Sequence, residues 1–157
     1  GVDDDYARAY FAEVGAEIMG AGMFGLHDFP DDPDWQGWWG EEPPFRVPVF
    51  VLTHTAPRPS LEMAGGTTFH FLSATPTQVL DRALEVADGK DVRIGGGPTV
   101  VRDFLKAGLV DQLHVAIAPI LLGGGIRLWD ELRGWESGYQ VEVDSAPSGT
   151  THLTFRR

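Results

Sequence analysis

A strand that turns through three consecutive glycines into a helix, I-G-G-G-P-T-V-V-R-D-F-L (Ile94–Leu105), limits the fold more than any other stretch of the chain. Glycine reaches backbone conformations closed to other residues and lets another group approach the chain closely. Pro98 suits a first helical position, where its missing N–H is no loss. Val100, Val101, Phe104 and Leu105 then form the inward stripe of a helix over 98–106, with Gly108 just beyond its end. A strand feeding a helix in this way belongs to an α/β sheet, whose faces are covered by helices.

The neighbouring segments extend this pattern. Residues 3–14 read as a helix, with Asp3 to Asp5 at its positive end and Tyr6, Tyr10, Phe11 and Val14 at helical spacing. A-E-I-M (16–19) reads as a short buried strand ending at Gly20, and V-P-V-F-V-L-T (47–53) as a buried, valine-rich one. The proline-rich T-A-P-R-P (55–59) ends the latter. T-F-H-F-L (68–72) alternates as a strand should. T-P-T-Q (75–78) opens a helix with a capping box, and Val79, Leu80, Ala83, Leu84 and Ala87 give it one apolar face. D-V-R-I (91–94) and Q-L-H-V-A-I-A-P (112–119) are strands, L-L-G-G-G (121–125) is a second glycine turn, and 139–143 with 150–155 form a closing hairpin around S-A-P-S-G. The sum is a mostly parallel sheet flanked by helices, with an antiparallel C-terminal edge, in a single domain over residues 1–157.

Between residues 21 and 47 the chain is irregular and carries Trp35, Trp38 and Trp39. So long a loop in a compact domain is usually functional or mobile. The tryptophans fit either a lid or packing in a core or interface.

Composition narrows the partners. A formal net charge of -11 disfavours the phosphate backbone of nucleic acids and anionic membranes. No apolar run approaches the roughly 18 residues of a membrane span, and the acidic start G-V-D-D-D is not a signal peptide. The absence of cysteine excludes disulfides and thiolate chemistry and suits a cytoplasmic protein. His27, His54, His70, His114 and His152 lack metal-ligand spacing, so no metal is expected, and His70 and His114 read as satisfied sheet residues. Asp28, Asp31, Asp32 and Asp34 lack the glycine and glutamate of a calcium loop and read as solvated. No serine stands in a nucleophile elbow.

The first glycine turn is where a ligand fits. Free amides and the helix dipole make a helix start attractive to anions, and a diphosphate is the natural guest. Neither the Walker loop nor the Rossmann fingerprint is present. Taken alone, the turn fits a ligand-free strand-to-helix connection equally well.

The order M-G-A-G-M-F-G (19–25), V-F-V-L-T-H-T (49–55), V-R-I-G-G-G-P-T-V-V-R-D-F-L (92–105) and A-P-I-L-L-G-G-G-I-R-L-W (118–129) resembles the dihydrofolate-reductase-like family. Within it, the chain is most similar to the bacterial branch related to the reductase domain of riboflavin biosynthesis. The resemblance runs from about Val2 to the C-terminus. It implies NADPH binding and hydride transfer to a small heterocyclic substrate. It places Gly20, Ala21, Gly22 and Met23 against the adenosine half of the cofactor. Leu52, Thr53 and His54 would surround the adenine and 2′-phosphate. Gly96, Gly97, Pro98 and Thr99, following Ile94 and Gly95, would underlie the diphosphate, with Gly95–Gly96 joined by a cis peptide. A homodimer is also implied, since the family often forms one.

Two departures stand out. The family usually carries M-G-R where this chain has Met19-Gly20-Ala21, so Arg58 or His54 is the candidate to meet the cofactor's anionic end, the alternative being that both are solvated loop charges. The family also begins with a central strand and a loop carrying much of the substrate site, and nothing here matches them. A strand from elsewhere is expected to fill the place, or the sequence is part of a longer one. With that stretch goes the proton donor, so no catalytic residue is assigned. A non-catalytic nucleotide-binding or dimerisation module with the same fold is the rival reading, and an acidic domain without a nucleotide site a third.

Overall fold

A computed structural model describes residues 1–55 and 58–157, so part of the proline-rich stretch 55–59 lies outside the described residues. The chain forms two compact units, one of residues 13–103 and one of residues 1–12 with 104–157.

The first unit is built on a five-stranded sheet. Its elements are β1 (Val14–Gly20), the single-turn helix α2 (Ala21–Phe24), β2 (Pro48–Leu52), β3 (Leu61–Glu62), β4 (Thr68–Leu72), α3 (Pro76–Ala87) and β5 (Asp91–Gly96). The strand order is β3-β4-β2-β1-β5, with β4, β2, β1 and β5 parallel and only β3 antiparallel. The expected strands thus form, and the expected helix over 3–14 is shorter. It ends at Phe11, because Glu13 adopts a positive φ of 57° and Val14 joins β1 opposite Asp91.

Each sheet face is covered for a reason legible in the residues. Helix α3 starts as expected: Thr75 Oγ1 accepts from Gln78 N at 3.2 Å and Gln78 Oε1 accepts from Thr75 N at 3.0 Å. It buries Val79, Ala83 and Ala87, whose small side chains let the helix approach the sheet. The opposite face gathers Met19, Val49, Val51, Phe69 and Phe71 with Phe24, Leu26 and Phe45 from the long loop. Burying each such side chain contributes about 1.5–3 kcal/mol. Trp35 and Trp39 pack against this cluster, and Trp35 Nε1 donates to the Phe24 carbonyl at 2.9 Å. The loop therefore serves as core cover, with Trp38 left 54% exposed.

The second unit holds α1 (Val2–Phe11), the end of α4 (Pro98–Lys106) and a three-stranded antiparallel sheet of β6 (Gln112–Ile117), β7 (Gln140–Ser145) and β8 (Thr151–Arg156). The strand order is β6-β8-β7. The C-terminal hairpin is thus part of a separate sheet rather than the edge of the parallel one. Among the described residues β5 pairs only with β1 and β6 only with β8, so each presents a free side. No helix of the described residues is long and apolar enough to cross a membrane.

Candidate functional site

Parallel pairing brings the glycine segments together. Gly20 lies opposite Leu52 on β2, and Met19 lies opposite Gly96 on β5. The three strands run the same way, so their carboxyl ends lie along one edge of the sheet, the usual ligand position in a parallel sheet. At that end Gly20 lies beside Leu52 on one side and the Gly96–Gly97 turn on the other. A Cβ on Gly20 would sit 2.8 Å from Val100 Cγ2 and 3.7 Å from Gly97 N, so only glycine lets β1 meet the turn.

The glycines of the turn have different neighbours. A Cβ at Gly95 would lie 2.1 Å from Glu17 Oε1. At Gly96, which has φ 131°, it would lie 3.3 Å from Met23 Sδ. At Gly97 it would meet nothing within 4 Å. Gly95 and Gly96 are closed from within, whereas the space above Gly97 is open. Helix α4 starts here, with Val101 N donating to Gly97 O at 3.1 Å. The non-proline cis peptide joins Gly96 to Gly97, one bond later than the resemblance implied.

Thr53 is 3% exposed, and its N–H donates to Leu72 O at 3.0 Å. Its hydroxyl is 2.8 Å from that of Thr55, while His54 and Thr99 are exposed. The guanidinium of Arg58 donates from Nη2 to the Asp32 carbonyl at 2.5 Å and stands 5.6 Å from the Phe71 ring centroid. Its Nη1 is buried with no hydrogen-bond partner. A Cβ at Gly22 would meet His27 Nδ1 at 2.9 Å.

Glu17 and Arg93 were not singled out from the sequence. They are register partners on β1 and β5, and Arg93 Nη2 donates to Glu17 Oε2 at 2.5 Å. Glu17 is 1% exposed and its Oε1 has no partner. Burial pushes its carboxyl up from the ordinary value, and the Arg93 charge acts in the opposite sense. The signal available was a charge inside each of two apolar strand runs, A-E-I-M and V-R-I. His70, by contrast, is the expected sheet residue, with Nδ1 2.9 Å from Ser60 Oγ. An open hollow of about 390 Å³ beside Trp135, Tyr139 and Arg157 lies in the other unit and contains none of these residues.

Residues 3–136 match the family described as the RibD C-terminal domain. The chain belongs to that family. Over 57 residues it is 44% identical to the riboflavin biosynthesis protein RibD of Mycobacterium tuberculosis, covering 36% of this chain and only 16% of that protein. Among solved structures, a protein of Shewanella sp. PV-4 named for riboflavin biosynthesis has a TM-score of 0.63 at 24% identity, over 96% of this chain and 77% of its own. The dihydrofolate reductase of Enterococcus faecalis, solved with NADP(H), has a TM-score of 0.58 at 14% identity, over 99% and 81%. The fold is therefore of the dihydrofolate reductase type, and membership supports a reductase-type function.

Proposed function

We propose that the chain is an NADPH-dependent reductase domain that delivers hydride to a C=N or C=O carbon of a small, flat heterocycle. The observation that carries this reading is the meeting of the carboxyl ends of β1, β2 and β5 at the glycine turn, with nothing within 4 Å of a Cβ placed on Gly97. The donor set fits the cofactor. Amides of Gly97 and Thr99 would meet the diphosphate at the start of α4. Gly20, Ala21, Gly22 and Met23 would flank the adenosine, and Leu52, Thr53 and His54 the adenine. Ala21 offers no charge to a 2′-phosphate, whereas Arg58 has a buried guanidinium nitrogen still lacking an acceptor. When bound, NADPH supplies the hydride. The protein orients the dinucleotide and excludes water from it. No proton donor is assigned. A cytoplasmic, homodimeric enzyme in which a further strand pairs with a free sheet edge completes the reading.

Titration of the protein with NADPH and with NADH, followed by tryptophan fluorescence, tests it. Tighter binding of NADPH, with the preference reduced at least tenfold by Arg58→Ala, is expected. Equal affinity for both cofactors would remove Arg58 from the site, and binding of neither would refute the cradle. The rival reading, a binder without chemistry, predicts cofactor uptake with no oxidation in the presence of any heterocycle screened.

A further inference from the structure

The second unit contains a group of titratable side chains unrelated to the glycine turn. His152, only 4% exposed, has both ring nitrogens engaged. Its Nε2 lies 2.6 Å from Asp3 Oδ1 and its Nδ1 lies 3.0 Å from His114 Nε2. The two imidazoles are nearly coplanar, 8° apart. Tyr6 lies flat over both, with centroids 4.5 Å from His114 and 4.1 Å from His152. The Tyr6 hydroxyl donates to Asp144 Oδ2 at 2.6 Å, and Ser148 Oγ donates to Asp3 Oδ2 at 2.7 Å. Asp3 and Tyr6 belong to α1, which buries none of its residues. These polar and stacked contacts join the helix to the sheet.

The hydrogen bonds have a direction. An ionised Asp3 can only accept, so His152 Nε2 carries a proton. Neutral His152 then offers a lone pair at Nδ1, and His114 Nε2 carries the proton that fills it. One added proton leaves this arrangement intact, because either imidazole can be the charged one and the other can accept. A second proton puts two N–H donors face to face and two positive charges side by side. The remaining charged groups on this face are Glu142 and Asp144 on β7 and Arg156 on β8, with Arg156 3.6 Å from Glu142.

We propose that Asp3, His152 and His114, under Tyr6, form a proton-operated clasp that holds α1 on the three-stranded sheet and releases it when both imidazoles are charged. Burial, and then the neighbouring His152, push His114 below the ordinary histidine value. The bond from Ser148, and then that from His152, hold the Asp3 carboxyl low. A histidine depressed in the folded state favours folding at neutral pH and opposes it as pH falls below about 6.5. The aspartate remains charged across that window, so release follows the histidines.

Amide hydrogen exchange of residues 2–11, read with the imidazole nitrogen shifts across pH, tests this in the full chain. The expected result is a two-step histidine titration, with α1 losing protection only in the second step while β6 and β8 stay protected. His114→Gln keeps a side-chain donor for His152 but takes up no proton. It should move α1 release at least about one pH unit lower. Asp3→Asn should loosen α1 at every pH. Independent single-step titrations, or an unchanged release profile in His114→Gln, would overturn the proposal.

Discussion

The glycine turn makes a prediction in which two nearly identical substitutions have opposite consequences. In Gly95→Ala the new methyl would lie 2.1 Å from Glu17 Oε1, well under the 3.0 Å that real Cβ contacts respect. Glu17 has no path to solvent, being 1% exposed and held by Arg93. Overpacking of this kind costs about 1–3 kcal/mol, a fall in Tm of about 2–12 °C for a chain of this size. In Gly97→Ala the methyl meets no protein atom within 4 Å, so Tm should move by no more than about 2 °C. If a diphosphate occupies that open space, the methyl displaces it and breaks a charge-assisted hydrogen bond. That bond is worth about 1.5–3 kcal/mol, or roughly a 10- to 150-fold loss of NADPH affinity. Thermal unfolding and fluorescence titration of the two variants decide the matter. A stable Gly95→Ala would refute the packing argument, and a Gly97→Ala protein binding NADPH normally would refute the cradle.

Other consequences are simpler. Thr75→Ala should cost about 1 kcal/mol in denaturant unfolding through loss of the α3 cap. Trp39→Ala, which loses ring contacts with Phe24, Phe45 and Phe69, should cost at least about 2 kcal/mol, whereas the exposed Trp38→Ala should cost less than about 1 kcal/mol. Glu17 is an acid whose folded value lies above its ordinary 4.5, so the folded state holds its proton more tightly and stability is lost as pH rises through the window above 4.5. Glu17→Gln should remove that component from a pH series of unfolding free energies.

What the sequence made legible was local. The bounds of α3 and α4 follow from a capping box, a proline and an apolar stripe, all within about a dozen consecutive residues. The four residues of α2 and the two of β3 are too few to show a period. The separate three-stranded sheet depends on β6 pairing with β8 past the intervening β7, which no local pattern announces. The same holds for the charged pairs. Glu17 and Arg93 are 76 residues apart and Asp3 and His152 are 149 apart, so only the fold brings them together. At the turn, the sequence located the glycines. Which of them faces protein and which faces open space depends on Glu17 and Met23, side chains that only the fold brings to the turn.

A chain of net charge -11 that binds a dinucleotide must do so through groups in contact with it. Surface carboxylates farther away than about 8 Å are screened at physiological salt, but Glu17 is buried against Gly95 and is not. When ionised, its charge would oppose an anion in the proposed cradle, and Arg93 would offset it. This gives the pair a role separable from folding. Arg93→Met leaves a buried carboxylate without its counter-charge and should lose stability, by up to about 3–5 kcal/mol, whereas Glu17→Gln resembles the neutral carboxyl that burial favours and should lose less. Their effects on dinucleotide affinity should have opposite signs: weaker in Arg93→Met, tighter in Glu17→Gln. A pair that mattered only for folding would weaken binding in both variants or in neither. Affinities measured where each variant is still folded, below its own unfolding transition, separate the two. Changes in the same direction would mean that the diphosphate does not sense the charge beneath Gly95.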